Sequence, residues 1–336
     1  MIRSITLLLY LTGIFTLFGC EGEEKVRVLR LAHGLDMTHP VHKGMEFMAT
    51  DLEKRSNGQM KITIYPSGQL GAERECLELL QIGSLDMTKV SASVMENFAP
   101  DYQVLSLPYI FRDREHSYTV LDGEVGRQLL EEGEKYRLKG LCFYDAGSRS
   151  FYTKDRPIMA PEDLHGLKIR VQKSKTAVEM IEHLGGSPTP IPWGELYTAL
   201  QQGVVDGAEN NPPSFFFSRH YEVCKYYTIN EHSSVPDVLI IGTSTWSKLN
   251  DQEKEWLRAA ALESATFQRE LWQKSEMECL EAVKKEGVEV IYPPKKPFSE
   301  KVTSMYEQYE AQPRLADIIR RIRAVNTSSD TQEGSL

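Results

Sequence analysis

Stretches of two-residue hydrophobic alternation take turns with stretches of helical periodicity along most of this chain, and few folds accommodate that pattern. Residues 26–31 read as a strand, followed by a helix whose apolar Val41, Met45, Met48 and Leu52 recur at helical spacing until Asn57-Gly58. Residues 61–65 alternate as a strand, Pro66-Ser67-Gly68 turns the chain, and 73–82 return as a helix ended by Gly83. A strand follows at 86–91. The cadence resumes with strands at 139–145, 167–172 and 204–208 and helices at 174–184 and 192–202. Repetition of this kind implies βαβ units, and hence an α/β protein with mainly parallel sheets.

With 336 residues, 41% of them hydrophobic, the chain is long enough for about two domains. Small and polar residues interrupt the periodicity at 145–148 and at 232–237, which places two crossings between lobes there. Asn250-Asp251-Gln252-Glu253 has the form of a capping box opening a helix that runs to about 286 before Gly287. That length exceeds an ordinary globular helix, so it is expected to brace both lobes. The expected division is 26–146 with 236–275 as the first lobe and 147–235 with 276–325 as the second. Residues 326–336 are polar and read as a disordered tail.

The N-terminus stands apart. Met1-Ile2-Arg3-Ser4 is a short positive start, and the apolar run that follows to Phe18 is too short to span a bilayer, so 1–19 read as a secretory signal. Leu17-Phe18-Gly19-Cys20 is similar to a bacterial lipobox, which makes Cys20 the lipidated residue and 20–25 a tether. The protein would then be an anchored, extracytoplasmic lipoprotein. A net charge of −9 argues against nucleic acid or an anionic membrane surface as the main partner. Cys76, Cys142, Cys224 and Cys279 are scattered, with no zinc spacing, and read as isolated buried thiols; an oxidising compartment would still permit one disulfide.

Arg149 and Arg170 bracket the most suggestive stretch. A guanidinium is always charged and presents parallel donors that match the two oxygens of a carboxylate. In Leu167-Lys168-Ile169-Arg170-Val171, alternation sends Lys168 and Arg170 to the face opposite the apolar residues. Arg149 follows a predicted strand, and ligands in open α/β sheets gather at the carboxyl ends of strands. No G-x-G-x-x-G follows the first strand, and neither a phosphate-binding P-loop nor a G-x-S-x-G elbow is present, so nothing points to an enzyme or a cofactor. His33, His39 and His42, with Glu46 one turn on, suggest metal capture as a rival, but a helix starting at Pro40 scatters them around its terminus.

Several longer motifs go further. The run 147–171, Gly186-Ser187-Pro188-Thr189-Pro190-Ile191-Pro192-Trp193 with 195–203 behind it, and Val205-Asp206-Gly207-Ala208-Glu209-Asn210 resemble the substrate-binding proteins of tripartite ATP-independent periplasmic (TRAP) transporters. Tyr65-Pro66-Ser67-Gly68-Gln69-Leu70-Gly71 and Gly83-Ser84-Leu85-Asp86-Met87 match as well. The resemblance implies a two-lobed periplasmic-binding-protein fold that closes on an organic acid, with the long C-terminal helix bridging the lobes. It implies that Arg170 pairs with the ligand carboxylate, that Arg149 lies beside it, and that Asn210 donates a hydrogen bond. Trp193 would supply an aromatic wall, Glu73 would reach the polar end of the ligand, and His33 would line the cleft from the first lobe. Glu209 would contact a ligand hydroxyl or salt-bridge an arginine. Such a protein hands its solute to a small and a large integral membrane subunit. The aromatic wall with hydroxyl-capable Glu73, His33 and Glu209 favours a hexuronate-type sugar acid, while a C4-dicarboxylate or a sialic acid would use the same arginine.

Overall fold

The computed structural model describes residues 26–327. The signal 1–19, Cys20, the tether, and residues 328–336 of the expected tail lie outside the described residues. Eleven strands are present among them: β1 (Arg27–Ala32), β2 (Met60–Tyr65), β3 (Met87–Ser91), β4 (Leu138–Tyr144), β5 (Arg149–Thr153), β6 (Lys168–Val171), β7 (Ser187–Pro190), β8 (Gly207–Asn210), β9 (Tyr226–Ser233), β10 (Asp237–Gly242) and β11 (Glu289–Ile291).

They form two sheets, one ordered β2-β1-β3-β10-β4 and the other β11-β9-β5-β8-β6-β7. Each is parallel except for one reversed strand, β10 in the first and β5 in the second. Parallel neighbours need a long crossover, usually a helix, whereas β5 and β10 each arrive directly from the other sheet and insert antiparallel. The two-lobed α/β architecture expected from the cadence is therefore present, and it places the ends of β3, β5, β6, β8 and β10 around one central cleft.

Local chemistry sets the helices. The helix Pro40–Arg55 begins with proline at its first position, takes His39 as its cap, and carries Lys54 and Arg55 where the carbonyl end of the dipole lies. Asn250 caps Asp251–Lys285 with a reciprocal pair: the Glu253 amide donates to Asn250 Oδ1 at 2.9 Å, and the Asn250 amide to Glu253 Oε2 at 2.8 Å. Over its 35 residues this helix buries Leu257, Ala260 and Trp272 in the core that includes Val41 and Met45 of the first lobe. It then buries Val283 among Leu196, Phe215 and Tyr227 of the second. The link between β4 and β5 is clamped to the same helix, because the Asp145 amide donates to Gln268 Oε1 at 2.9 Å and Gln268 Nε2 to the Asp145 carbonyl at 2.8 Å. Gly147 has φ +58°, and a side chain there would meet Glu276 Oε1 at 2.7 Å and Trp272 Nε1 at 2.9 Å.

One expectation about the C-terminal region needs correction. Phe298, Val302 and Met305 do pack with Ile169 and Ile181 of the second lobe. The following helix Pro313–Arg323, expected there too, instead buries Leu315, Ile318, Ile319 and Ile322 among Tyr102, Leu105 and Leu129 of the first lobe. Spacing in the sequence identifies the apolar stripe of a helix but not the surface that covers it.

Candidate functional site

A cleft of about 280 Å³ lies between the sheets. That is near the lower end of the roughly 300–1,000 Å³ of small-molecule sites, which suits one small solute. The first lobe contributes His39, Glu73, Lys89 and Ser91, with Asp237 at the start of β10; the second contributes Arg149, Arg170, Gln172, Trp193 and Asn210.

Arg149 opens β5, and its partners sit on the adjacent β8, where Phe151 pairs with Glu209 and Ser150 with Asn210. Its Nε donates to Glu209 Oε2, its Nη2 to Glu209 Oε1 and to the Glu209 carbonyl, both at 2.8 Å, and its Nη1 to Asn210 Oδ1 at 2.9 Å. Burial alone would raise the Glu209 pKa, but the Arg149 charge and bonds from His232 and Arg149 hold it down at about 2. Burial pulls the Arg149 guanidinium down, and Glu209 more than reverses that pull, so the net shift is upward. Arg149 is thus a neutralised cation. Asn210 Oδ1 also accepts from the amide and the Nδ2 of Asn211, both at 3.0 Å, which fixes the orientation of its side-chain amide. Its own Nδ2 donates to no protein group among the described residues.

Arg170 differs. Strand alternation would turn it away from Ile169 and Val171 towards solvent, yet it is only 2% exposed, held against Ile191 and Trp193 at the cleft wall. Its Nε donates to the Ile191 carbonyl at 2.8 Å, and its guanidinium carbon lies 5.9 Å from the Trp193 ring centre. Nη1 is buried with no hydrogen-bond partner, and no carboxylate forms an ion pair with Arg170 among the described residues. Burial, helped by the Arg149 charge, brings its pKa down to about 10, which leaves it charged at neutral pH. Burial, with Arg170 adding to it, lowers the neighbouring His220 to about 3, so that ring stays neutral. The second lobe therefore holds one uncompensated buried cation.

Opposite it, Lys89 on β3 lies between Glu73, which starts the helix Glu73–Gln81, and Asp237. Its Nζ is 3.1 Å from Glu73 Oε1 and 3.3 Å from Asp237 Oδ2. Burial lowers the Lys89 pKa, but the two carboxylates outweigh it and raise the pKa overall. Asp237 is pushed up by its own burial, with Lys89 opposing. Lys89, Asp237 and Gln172 escaped the sequence reading. The available signal was a lysine in the otherwise uncharged strand Met87–Ser91.

Of the seven candidate binding residues, Arg170, Arg149, Asn210, Trp193 and Glu73 meet at the cleft, and two do not. His33 is buried beneath the cleft, with Nε2 2.9 Å from His42 Nδ1 and Nδ1 accepting from the Leu35 amide at 3.1 Å. Both ring nitrogens are engaged, so its expected place in the lining is overturned; His39 lines the cleft instead. Glu209 lies behind Arg149, and of its two readings the structure has the salt bridge. The histidines hold no metal-like cluster with carboxylates or thiols among the described residues. The four described cysteines are buried and unpaired.

The arrangement can receive a carboxylate between Arg170 and Asn210 Nδ2, lay an apolar ring face on Trp193, and meet hydroxyl groups with Glu73 and Asp237. Residues 31–312 match the bacterial extracellular solute-binding protein family 7. YiiZ of Salmonella typhimurium is 40% identical over 298 residues, 88% of this chain and 91% of that protein. A TRAP periplasmic solute-binding protein from Bradyrhizobium sp. BTAi1, solved in complex with α/β-D-galacturonate, superposes with a TM-score of 0.87 at 39% identity, over 89% of this chain and all of that one. Its counterpart from Pseudomonas putida F1, with bound D-glucuronate, gives 0.86 at 36% identity over 90% of this chain and 98% of that chain. The chain belongs to family 7 of the bacterial extracellular solute-binding proteins, the solute-binding components of TRAP transporters.

Proposed function

We propose that this protein captures a hexuronate-type sugar acid outside the cytoplasm and delivers it to the small and large membrane subunits of a TRAP transporter. The observation that carries the reading is Arg170, a buried guanidinium with an unpartnered Nη1 at the wall of a solute-sized cleft. In this reading the ligand carboxylate pairs with Arg170 and accepts from Asn210 Nδ2, Arg149 fixes Asn210, and Trp193 packs on the sugar ring. Glu73 and Asp237 accept from ring hydroxyls, which favours a sugar acid over a C4-dicarboxylate or a sialic acid. The uronates bound in the similar Bradyrhizobium and Pseudomonas proteins support the same class.

Neutral sugars should fail, because closing on them leaves the guanidinium without its partner. Removing one side of a desolvated charged pair costs about 2–5 kcal/mol, at about tenfold in affinity per 1.4 kcal/mol. Titration calorimetry with D-galacturonate, D-glucuronate, D-galactose and succinate tests the reading. The uronates should bind and galactose should not, and Arg170→Met should weaken uronate binding by more than about tenfold with no loss of melting temperature. Undiminished uronate affinity in that variant would remove the role of Arg170. Binding of succinate alone would remove the ligand class.

We place the mature protein at the periplasmic membrane surface, tethered through lipid on Cys20. No helix among the described residues is long and apolar enough to cross a membrane. Metabolic labelling with palmitate should mark the wild type and not Cys20→Ala; equal labelling of both would argue against the anchor.

A further inference from the structure

The charges around the cleft limit which acids the proposed site can accept, and the following step rests on the sugar-acid reading. Arg149 is matched by Glu209. Lys89 faces two carboxylates, Glu73 and Asp237, so that trio carries a net −1. Among the buried charges of the lining, Arg170 alone lacks a partner of opposite sign; Arg74, Glu75, Lys173 and Glu195 also line the cleft but are exposed, where water screens them. Lys89 and Asp237 are buried, and the Glu73 side chain is 17% exposed, so water screens the trio poorly. Glu73 Oε2 and Asp237 Oδ1 accept from no protein donor among the described residues. Each therefore offers an acceptor to a hydroxyl and repulsion to an anion.

We infer that the cleft accepts sugar acids bearing a single carboxylate and rejects the corresponding diacids, with Asp237 and Glu73 as the specificity-determining residues. One carboxylate satisfies Arg170. A second, at the other end of the same solute, would face a trio that is already net negative in a desolvated place. Lys89 cannot serve as its counter-ion without giving up Glu73 or Asp237, which would leave one of those carboxylates buried and unpaired. Hydroxyl groups meet no such conflict. Discrimination of this sort works by penalising the wrong partner as well as by holding the right one.

D-galactonate and galactarate isolate the effect, because both are open-chain six-carbon acids and differ only in whether the terminal carbon is an alcohol or a carboxylate. Calorimetry on the purified protein should give galactarate an affinity at least about tenfold below that of galactonate, the expected scale for one unfavourable buried charge contact. Asp237→Asn, which makes the trio neutral, should narrow the gap by raising galactarate affinity. Glu73→Gln provides a second, independent neutralisation should a melting curve show Asp237→Asn to be unfolded. Equal binding of the two acids by the wild type, or a gap that the folded variants leave unchanged, overturns the inference. D-galacturonate, titrated alongside, separates the two levels. If it binds while galactarate equals galactonate, only the diacid exclusion falls; if it does not bind, the sugar-acid reading falls with it.

Discussion

Arg149 and Arg170 carry the same side chain to the same cleft, and only their partners distinguish them. Both were visible in the sequence as candidate carboxylate binders, but nothing local revealed that Glu209 occupies the first and leaves the second open. Glu209 also makes a pH dependence readable. Its carboxyl is held at about 2 in the fold, against an ordinary 4.5. A depressed folded value means that the unfolded chain takes up the proton more readily, so the stabilisation is present above about pH 4.5 and is lost as pH falls towards 2. Glu209→Gln should therefore lower the melting temperature at pH 7, since an Arg149 left buried without its anion costs about 3–5 kcal/mol. The variant should also decline less steeply than the wild type between about pH 4.5 and 2. Thermal melts across that series check both points, and an unchanged melting temperature at pH 7 would contradict the pairing argument.

Elements that carry their own start and stop signals were legible to within a residue or two. Pro40–Arg55 has its N1 proline, Glu73–Gln81 its acidic first turn, and Asp251–Lys285 its capping box; all three lie where the sequence placed them. The sequence reading lacked β5, β7, β9, β10 and β11, and the two reversed strands show one reason. β10 is buried on both faces between β3 and β4, and β5 lies between β8 and β9, so neither shows the alternation of a half-exposed strand. Val204-Val205 drew the expected strand to 204–208, but pairing of Ser150 with Asn210 and Thr153 with Gly207 moves β8 to Gly207–Asn210. The helix expected over 192–202 opens instead as a 3₁₀ turn, Trp193–Glu195, before Leu196–Gln201, and that turn delivers Trp193 to the cleft wall.

At the scale of the whole molecule, the lobes meet through several polar contacts, among them Asn97 Nδ2 donating to the Lys173 carbonyl at 2.7 Å and the Thr176 amide to Glu96 Oε1 at 3.2 Å. Ser91 Oγ donates to Gln172 Oε1 at 3.3 Å, and His39 Nε2 lies 3.3 Å from Ser214 Oγ. Trp193 packs against the cores of both lobes. Such hydrogen bonds contribute about 1 kcal/mol each, so a buried guanidinium without an anion, at about 3–5 kcal/mol, cancels most of what they add to the closed arrangement. The anion-free protein should therefore open its lobes more readily than the loaded one. Small-angle scattering should show the radius of gyration fall on saturation with D-galacturonate in the wild type and stay constant in Arg170→Met; identical profiles with and without ligand in the wild type would count against closure. The amino-acid sequence by itself determined the α/β cadence, the long bracing helix and which arginines were available, because those depend on local spacing and on residue chemistry. Only the tertiary structure decided that Arg170 lacks a counter-ion, that Lys89 lies between Glu73 and Asp237, and that Pro313–Arg323 covers the first lobe. Charge pairing and burial are set by residues far apart in the chain, and local periodicity shows which way a side chain points without showing what it will meet.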